Sequence, residues 1–307
     1  MEVQKKLQFI QKVTGLTQEK LAVKLGVSFP TLNSWINGKS HPRRTAKERI
    51  DDLYLAYTGE KTIPENELQA KKNALKQMGR EYINVLNEII NYPDIRDQFT
   101  LSLTYNTNSI EGSTLTEEET AEVLFHNKAL ANKTLVEQLE AKNHQTAWEF
   151  LLRYLKNDEA LIDETFILKL HGILMNGIRD DAGMYRRHGV RIVGANIPTA
   201  NYIKIPSLMQ SLISNIGDRS QDIIAHASKI HSCFEKIHPF SDGNGRIGRL
   251  LIHAMLLKEN LPPAVIKQED KQIYYACLNK SQRSEDGSAL EDFICEAIFE
   301  GFKILKR

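Results

Sequence analysis

Apolar residues recur at helical spacing through nearly the whole chain. Leu7, Ile10, Gln11 and Thr14 open a first short helix. Thr17 is placed to cap a second, with Leu21, Ala22 and Leu25 on one face and Gly26 as its stop. Ser28 caps a third, which tolerates Pro30 in its first turn and carries Leu32, Trp35 and Ile36 before Asn37-Gly38 ends it. Ile50, Leu53 and Tyr54 predict a closing helix. Beyond the stretch Thr58 to Pro64, an amphipathic helix is predicted from about Glu65 to Tyr92, broken by Pro93-Asp94. Further helices reach about Lys156, and another covers Glu164 to Met175. The one strand-like stretch runs from Gly189 to Val193. There Val190, Ile192 and Ile197 suit a short hairpin turned by Gly194 and Pro198. Helices resume from Pro206, and no internal repeat or low-complexity tract interrupts them. The pattern implies an all-α chain of two units: a small one over residues 1–57, a linker over 58–64, and a body over 65–307.

Charge separates the two units. Residues 1–50 hold ten Lys and Arg against three acids, a net +7, so the rest carries −6 within a total of +1. A basic head on a mildly acidic body points to a polyanionic partner for the head. Overall composition, 41% hydrophobic and 26% charged, is that of a globular protein. The cysteines, Cys233, Cys277 and Cys295, are odd in number and fit no zinc spacing, which predicts reduced thiols in a cytoplasmic protein. Met1 is followed by no apolar signal core and no run approaches a membrane span, so no membrane partner is expected. The other histidines, His226 and His231 among them, form no metalloprotease pattern and read as surface or core residues.

The densest chemistry lies in His238-Pro-Phe-Ser-Asp-Gly-Asn-Gly-Arg-Ile-Gly-Arg249. Ile223, Ala227, Ile230, Phe234 and Ile237 form a helical stripe, so a helix delivers His238 and Pro239 ends it. Phe240 reads as an anchor to the core. Ser241 to Gly245 make a turn able to aim several backbone N–H groups one way, and a helix starts near Arg246. A glycine-rich loop feeding a helix N-terminus is an anion site. Arg246 and Arg249, three apart, face one side of its first turns.

Two resemblances follow. Residues 17–38 are similar to the helix-turn-helix of phage-repressor-type regulators, which implies DNA as a partner. In that reading Gln18 touches a backbone phosphate, Phe29, Thr31, Asn33 and Ser34 lie on or near the groove-facing side, and Arg43 and Arg44 add phosphate contacts. Phe29-Pro30 replaces the usual polar pair and leaves few side chains for bidentate base contacts. The alternative is a small helical protein-docking module. Repressor-type heads bind paired half-sites, which is compatible with a homodimer.

Residues 238–249 match the Fic-family signature at all nine specified positions. Chance agreement in a chain this long is on the order of 10⁻⁹ at background residue frequencies. The resemblance implies a Fic-fold helical bundle with a short β-hairpin flap, and transfer of AMP from ATP, with Mg²⁺, to a hydroxyl of a protein, the protein itself included. By the family's pattern His238 is the general base and Asp242 holds Mg²⁺. Gly243, Asn244 and Gly245 cradle the α- and β-phosphates, Arg246 meets the β-phosphate and Arg249 the γ-phosphate. Val193, Gly194, Ala195 and Asn196 fall on the flap, and Tyr274 and Gln282 match positions lining the adenine pocket. Thr107-Asn-Ser-Ile-Glu111-Gly112 matches the family's inhibitory motif, on a helix around 104–112, and implies that Glu111 occupies Arg249 as a charge-assisted, bidentate pair. Two alternatives stay open: transfer of another phosphate-linked group, and a DNA-binding regulator whose body only senses nucleotide.

Overall fold

A computed structural model describes residues 2–191, 198–217, 222–284 and 286–306. The head consists of α1 (Val3–Thr14), α2 (Gln18–Leu25), α3 (Phe29–Ile36) and α4 (Arg44–Thr58). The caps are those the sequence predicts. The Thr17 hydroxyl accepts the Lys20 N–H, and that of Ser28 accepts the Thr31 N–H. Gly26 closes α2 at φ +68°, a conformation that favours glycine. Leu7, Ile10, Leu21, Leu25, Leu32, Trp35 and Ile50 form the head's own core.

The body continues with α5 (Glu65–Gly79), α6 (Val85–Asn91), α7 (Pro93–Glu111), α8 (Glu117–His126), α9 (Leu135–Leu155) and α10 (Glu164–Leu174). Then come α11 (Ile205–Gly217), α12 (Ile223–Ile237), α13 (Asn244–Lys258), α14 (Lys271–Ser284) and α15 (Ser288–Leu305). The helix expected over 65–92 is two helices. The Asn260 side chain donates to the Gly79 and Tyr82 carbonyls and accepts the Val85 N–H, and Asn84 caps α6. A tertiary contact thus satisfies the backbone that a continuous helix would have paired. The expected break at Pro93 is present: α6 ends at Asn91, Tyr92 is extended, and Pro93 opens α7 at its first position, where a missing N–H costs nothing. Among the described residues no strand is assigned. Residues 192–197, which hold most of the expected hairpin and all of Val193, Gly194, Ala195 and Asn196, lie outside them.

Helices α12 and α13 lie together at the centre of the body. Nearly every residue of α13 is buried, which explains why its polar positions stand out from an otherwise apolar face. A Cβ built on Gly248 would sit 2.8 Å from the His231 ring and 3.0 Å from Glu235 Oε1, so glycine there sets the approach of the two helices.

The head rests on α14. Tyr57 is buried, and Ile273 of α14 packs against both cores. Lys24 of α2 pairs with Asp270 at 3.2 Å, and the Lys280 ammonium donates to the Lys61 carbonyl. Residues 59–64 contain no helix and run along this joint.

Candidate active site

His238 caps α12 in the left-handed region, φ +52° and ψ +62°, with its N–H on the Phe234 carbonyl. A non-glycine residue held there costs on the order of 1–2 kcal/mol and needs support from its surroundings. Arg186 supplies it. This almost fully buried side chain donates to the carbonyls of His238 (2.7 Å), His188 (2.6 Å) and Ala200 (2.7 Å). Its own N–H donates to the Pro239 carbonyl. Nothing in the sequence pattern marks Arg186, because its partners are all backbone carbonyls, which leave no trace in side-chain identity.

His238 Nδ1 faces the Glu235 carbonyl at 3.3 Å, which favours a proton on Nδ1 and leaves Nε2 with its lone pair. Burial lowers the imidazole's pKa below its ordinary 6.5. The Glu235 carboxyl stands 3.7 Å from the same Nδ1. Burial, reinforced by the Glu111 charge, pushes its pKa up to about 8. At neutral pH this contact is therefore between two uncharged groups rather than an ion pair.

The loop after His238 is closed from inside. Asn244 donates to the Phe240 carbonyl and accepts its N–H, both at 2.9 Å, so the Asn244 side chain is consumed in holding the loop. Phe240 is the expected anchor: it is fully buried and stacks on the His171 ring at 3.7 Å, nearly parallel. His171 Nδ1 accepts the Gly183 N–H, so Nε2 carries the proton and donates to the Asp242 carbonyl at 3.1 Å. Burial takes its pKa down to about 4, which keeps that tautomer neutral.

Helix α13 begins at Asn244, after Gly243 at φ +77°. The N–H groups of Asn244, Gly245 and Arg246 precede the first intrahelical bond, from Ile247 N to the Gly243 carbonyl, and are free to meet an anion. The Asp242 side chain is half exposed beside them, with Oδ1 on the Gly243 N–H. Arg246 is buried, its Nη1 2.6 Å from Glu140 on α9 and its Nη2 3.5 Å from Asp242. The Nε of Arg246 and the Nη1 of Arg249 are buried without a hydrogen-bond partner among the described residues. Two guanidinium donors left open beside a helix N-terminus fit a polyphosphate.

Arg249 is spoken for on its other side. Its Nε donates to Thr107 Oγ1 at 2.7 Å and its Nη2 to Glu111 Oε1 at 2.5 Å. The pair with Glu111 is single rather than bidentate, because Thr107, one turn earlier on α7, takes the second direction of the fork. Burial alone would raise the Glu111 pKa, but the Arg249 charge and hydrogen bond outweigh it and hold the carboxyl below its ordinary 4.5. Gly112, at φ +110°, ends α7 so that Glu111 lies in its last turn. A Cβ on Gly245 would collide with the Glu111 carboxylate, which therefore sits directly over the start of α13.

Tyr274 is fully buried, its hydroxyl 2.6 Å from His231 Nε2 and its ring 5.9 Å from the Arg249 guanidinium. Gln282 donates to the Ser232 carbonyl at 3.2 Å. His231 and His253 are core residues, with pKa values lowered to about 3 by burial and the Arg249 charge. On the head, Phe29, Thr31 and Arg43 are exposed. Gln18 and Asn33 are hydrogen-bonded to each other, Ser34 bonds Ser40, and Arg44 pairs with Glu48. These residues lie on α2, α3 and the start of α4. The second helix of the pair keeps an exposed face while the head docks through other residues.

Residues 161–256 match the Fic/DOC family and residues 14–46 match the helix-turn-helix family. The chain is 29% identical over 191 residues to the protein adenylyltransferase Fic of Nematostella vectensis, covering 59% of this chain and 43% of that one. It is 31% identical over 182 residues to the protein adenylyltransferase fic-1 of Caenorhabditis elegans, covering 57% and 35%. The chain spans less than half the length of these curated relatives. Among solved structures, a Fic family protein from Desulfovibrio desulfuricans G20 superimposes with a TM-score of 0.65 at 25% identity, over 79% of this chain and 74% of that one. Fic-1 from C. elegans superimposes with a TM-score of 0.63 at 21% identity, over 85% and 81%, a likeness of fold.

Proposed function

From a chain that carries a Fic/DOC domain behind a helix-turn-helix domain, we propose a protein adenylyltransferase that moves AMP from ATP to a protein hydroxyl and is held at rest by Glu111. The observation that carries this reading is a neutral histidine delivered beside a helix N-terminus bearing two buried arginines. His238 Nε2 takes the proton of the target hydroxyl, and the oxygen attacks the α-phosphorus. The bond from that phosphorus to the bridging oxygen breaks, and pyrophosphate leaves. The first N–H groups of α13 and the Arg246 guanidinium neutralise the α- and β-phosphates, and Arg249 takes the γ-phosphate once Glu111 gives way. Asp242, half exposed, with its Oδ1 on the neighbouring N–H and 3.5 Å from Arg246, suits a divalent cation. When bound, Mg²⁺ would add charge neutralisation at the leaving phosphates.

Incubation with α-labelled and γ-labelled ATP, followed by mass spectrometry, tests the reaction. Label from the α-position alone, with a gain of one AMP on the acceptor, is the expected result. Label from the γ-position would establish phosphoryl transfer, and no label on any protein would leave a nucleotide-sensing body.

The pH profile follows from the site. The base works deprotonated, and its pKa is depressed, so it stays competent further into acid and fails only as pH falls through the lowered value. The acid limb of kcat/KM is expected below pH 6.5. A limb at or above 6.5, measured on active protein, would remove His238 from the role or the burial from its cause.

The head supplies DNA binding in the same reading, within the cytoplasm, and paired half-sites make a homodimer the natural form. With +7 over residues 1–50, affinity comes mostly from displaced counterions and falls steeply with salt. Gel shifts of the full chain on duplex DNA are expected at low salt and to vanish toward moderate salt. No shift at micromolar protein in low salt would favour a protein-docking head.

A further inference from the structure

Both signature arginines are paired with carboxylates from earlier helices, but the two pairs differ in kind. Glu111 closes the last turn of α7, next to a glycine terminus, where a helix end can fray. Glu140 is the sixth residue of the 21-residue α9. That helix is pinned close by, where Asn143 donates to the Leu174 carbonyl at 3.1 Å and the Asn176 carbonyl at 2.8 Å. Met175, in the same turn, touches Arg246 and packs against Gly243. A carboxylate in that position does not withdraw. Arg246 stands between it, at 2.6 Å, and Asp242, at 3.5 Å in the loop that precedes α13.

We propose that Glu140 is a positioning residue: it fixes the Arg246 guanidinium at the phosphate end of the site and keeps it from collapsing onto Asp242. The guanidinium has five N–H donors, and the Glu140 contact uses one, leaving Nε and part of the fork for a phosphate. Without Glu140 the nearest anion is the Asp242 carboxylate. Pairing with it would remove Arg246 from the β-phosphate and engage the side chain that suits the cation. The inference rests on Arg246 meeting a nucleotide β-phosphate, which is part of the proposed function.

The test uses the full chain carrying Glu111→Gly, alone and with Glu140→Ala or Glu140→Gln. Calorimetric affinities for ADP and AMP are measured alongside AMP transfer from ATP. The preference for ADP over AMP is expected to fall about 10-fold with alanine and about 3-fold with glutamine, which keeps one acceptor oxygen. AMP affinity itself stays within about 2-fold, and transfer falls with the preference. An unchanged preference would reduce Glu140 to a structural contact, and a raised one would make it a competitor of the phosphate; either overturns the inference. If the alanine variant fails to fold by circular dichroism, the isosteric glutamine variant decides. A Glu111→Gly parent that binds ADP no better than AMP overturns the inference together with the phosphate assignment of Arg246. A parent that prefers ADP yet transfers nothing overturns the transfer reading alone.

Discussion

Replacing His238 with alanine is expected to lower AMP transfer by a factor of about 10² or more while leaving nucleotide affinity nearly unchanged. The proposed phosphate-binding groups lie on α13 and its preceding turn, and His238 belongs to the end of α12. Its left-handed backbone is held by Arg186 through carbonyl contacts that alanine retains, so the loop keeps its course apart from modest added strain. Loss confined to turnover, with ATP still bound in a calorimeter, is the signature of a base. Transfer unchanged in the His238→Ala protein would end this assignment.

Glu111→Gly is expected to raise transfer by about 10- to 100-fold, the equivalent of one charge-assisted hydrogen bond to a buried arginine. In the proposed reaction the γ-phosphate must displace a carboxylate already 2.5 Å from Arg249 Nη2. Glycine removes that competitor and leaves Arg249 with its Thr107 bond, which keeps the side chain oriented. The first sign should be self-modification, read as one added AMP in the mass of the purified mutant. Adding Arg249→Ala should cancel the gain, because the released arginine is the group being used. A mutant that modifies neither itself nor lysate proteins faster than wild type would show that Glu111 is not the brake. The pair is not a pH sensor in the physiological range. The Glu111 pKa is lowered from 4.5, so the pairing holds above that value and is lost only as pH falls through the depressed one.

Local signals carried much of this site. Period and caps placed α2, α3, α12 and α13 near their observed ends, since the Thr17 and Ser28 caps, the glycines and the apolar stripes act within a few residues. The signature named the residues of the anion loop, and the spacing of Thr107 and Glu111 put both on one face of α7. The break between α5 and α6 was invisible, because Asn260, some 180 residues away, supplies the hydrogen bonds that end the helix. The break at Pro93 was legible, while the new helix that Pro93 opens is held by packing of Ile95, Phe99 and Leu103 into the core.

The sequence by itself determined that the chain is helical, that its head is basic, and which twelve consecutive residues make up the candidate site. Tertiary structure alone decided which groups serve those residues. Arg186 reaches carbonyls at 188, 200 and 238, Glu140 meets Arg246 from 106 positions away, and Thr107 takes the fork direction that makes the Glu111 pair single. Contacts of this kind depend on how helices lie against one another, and helical periodicity records which face is buried but not what it is buried against.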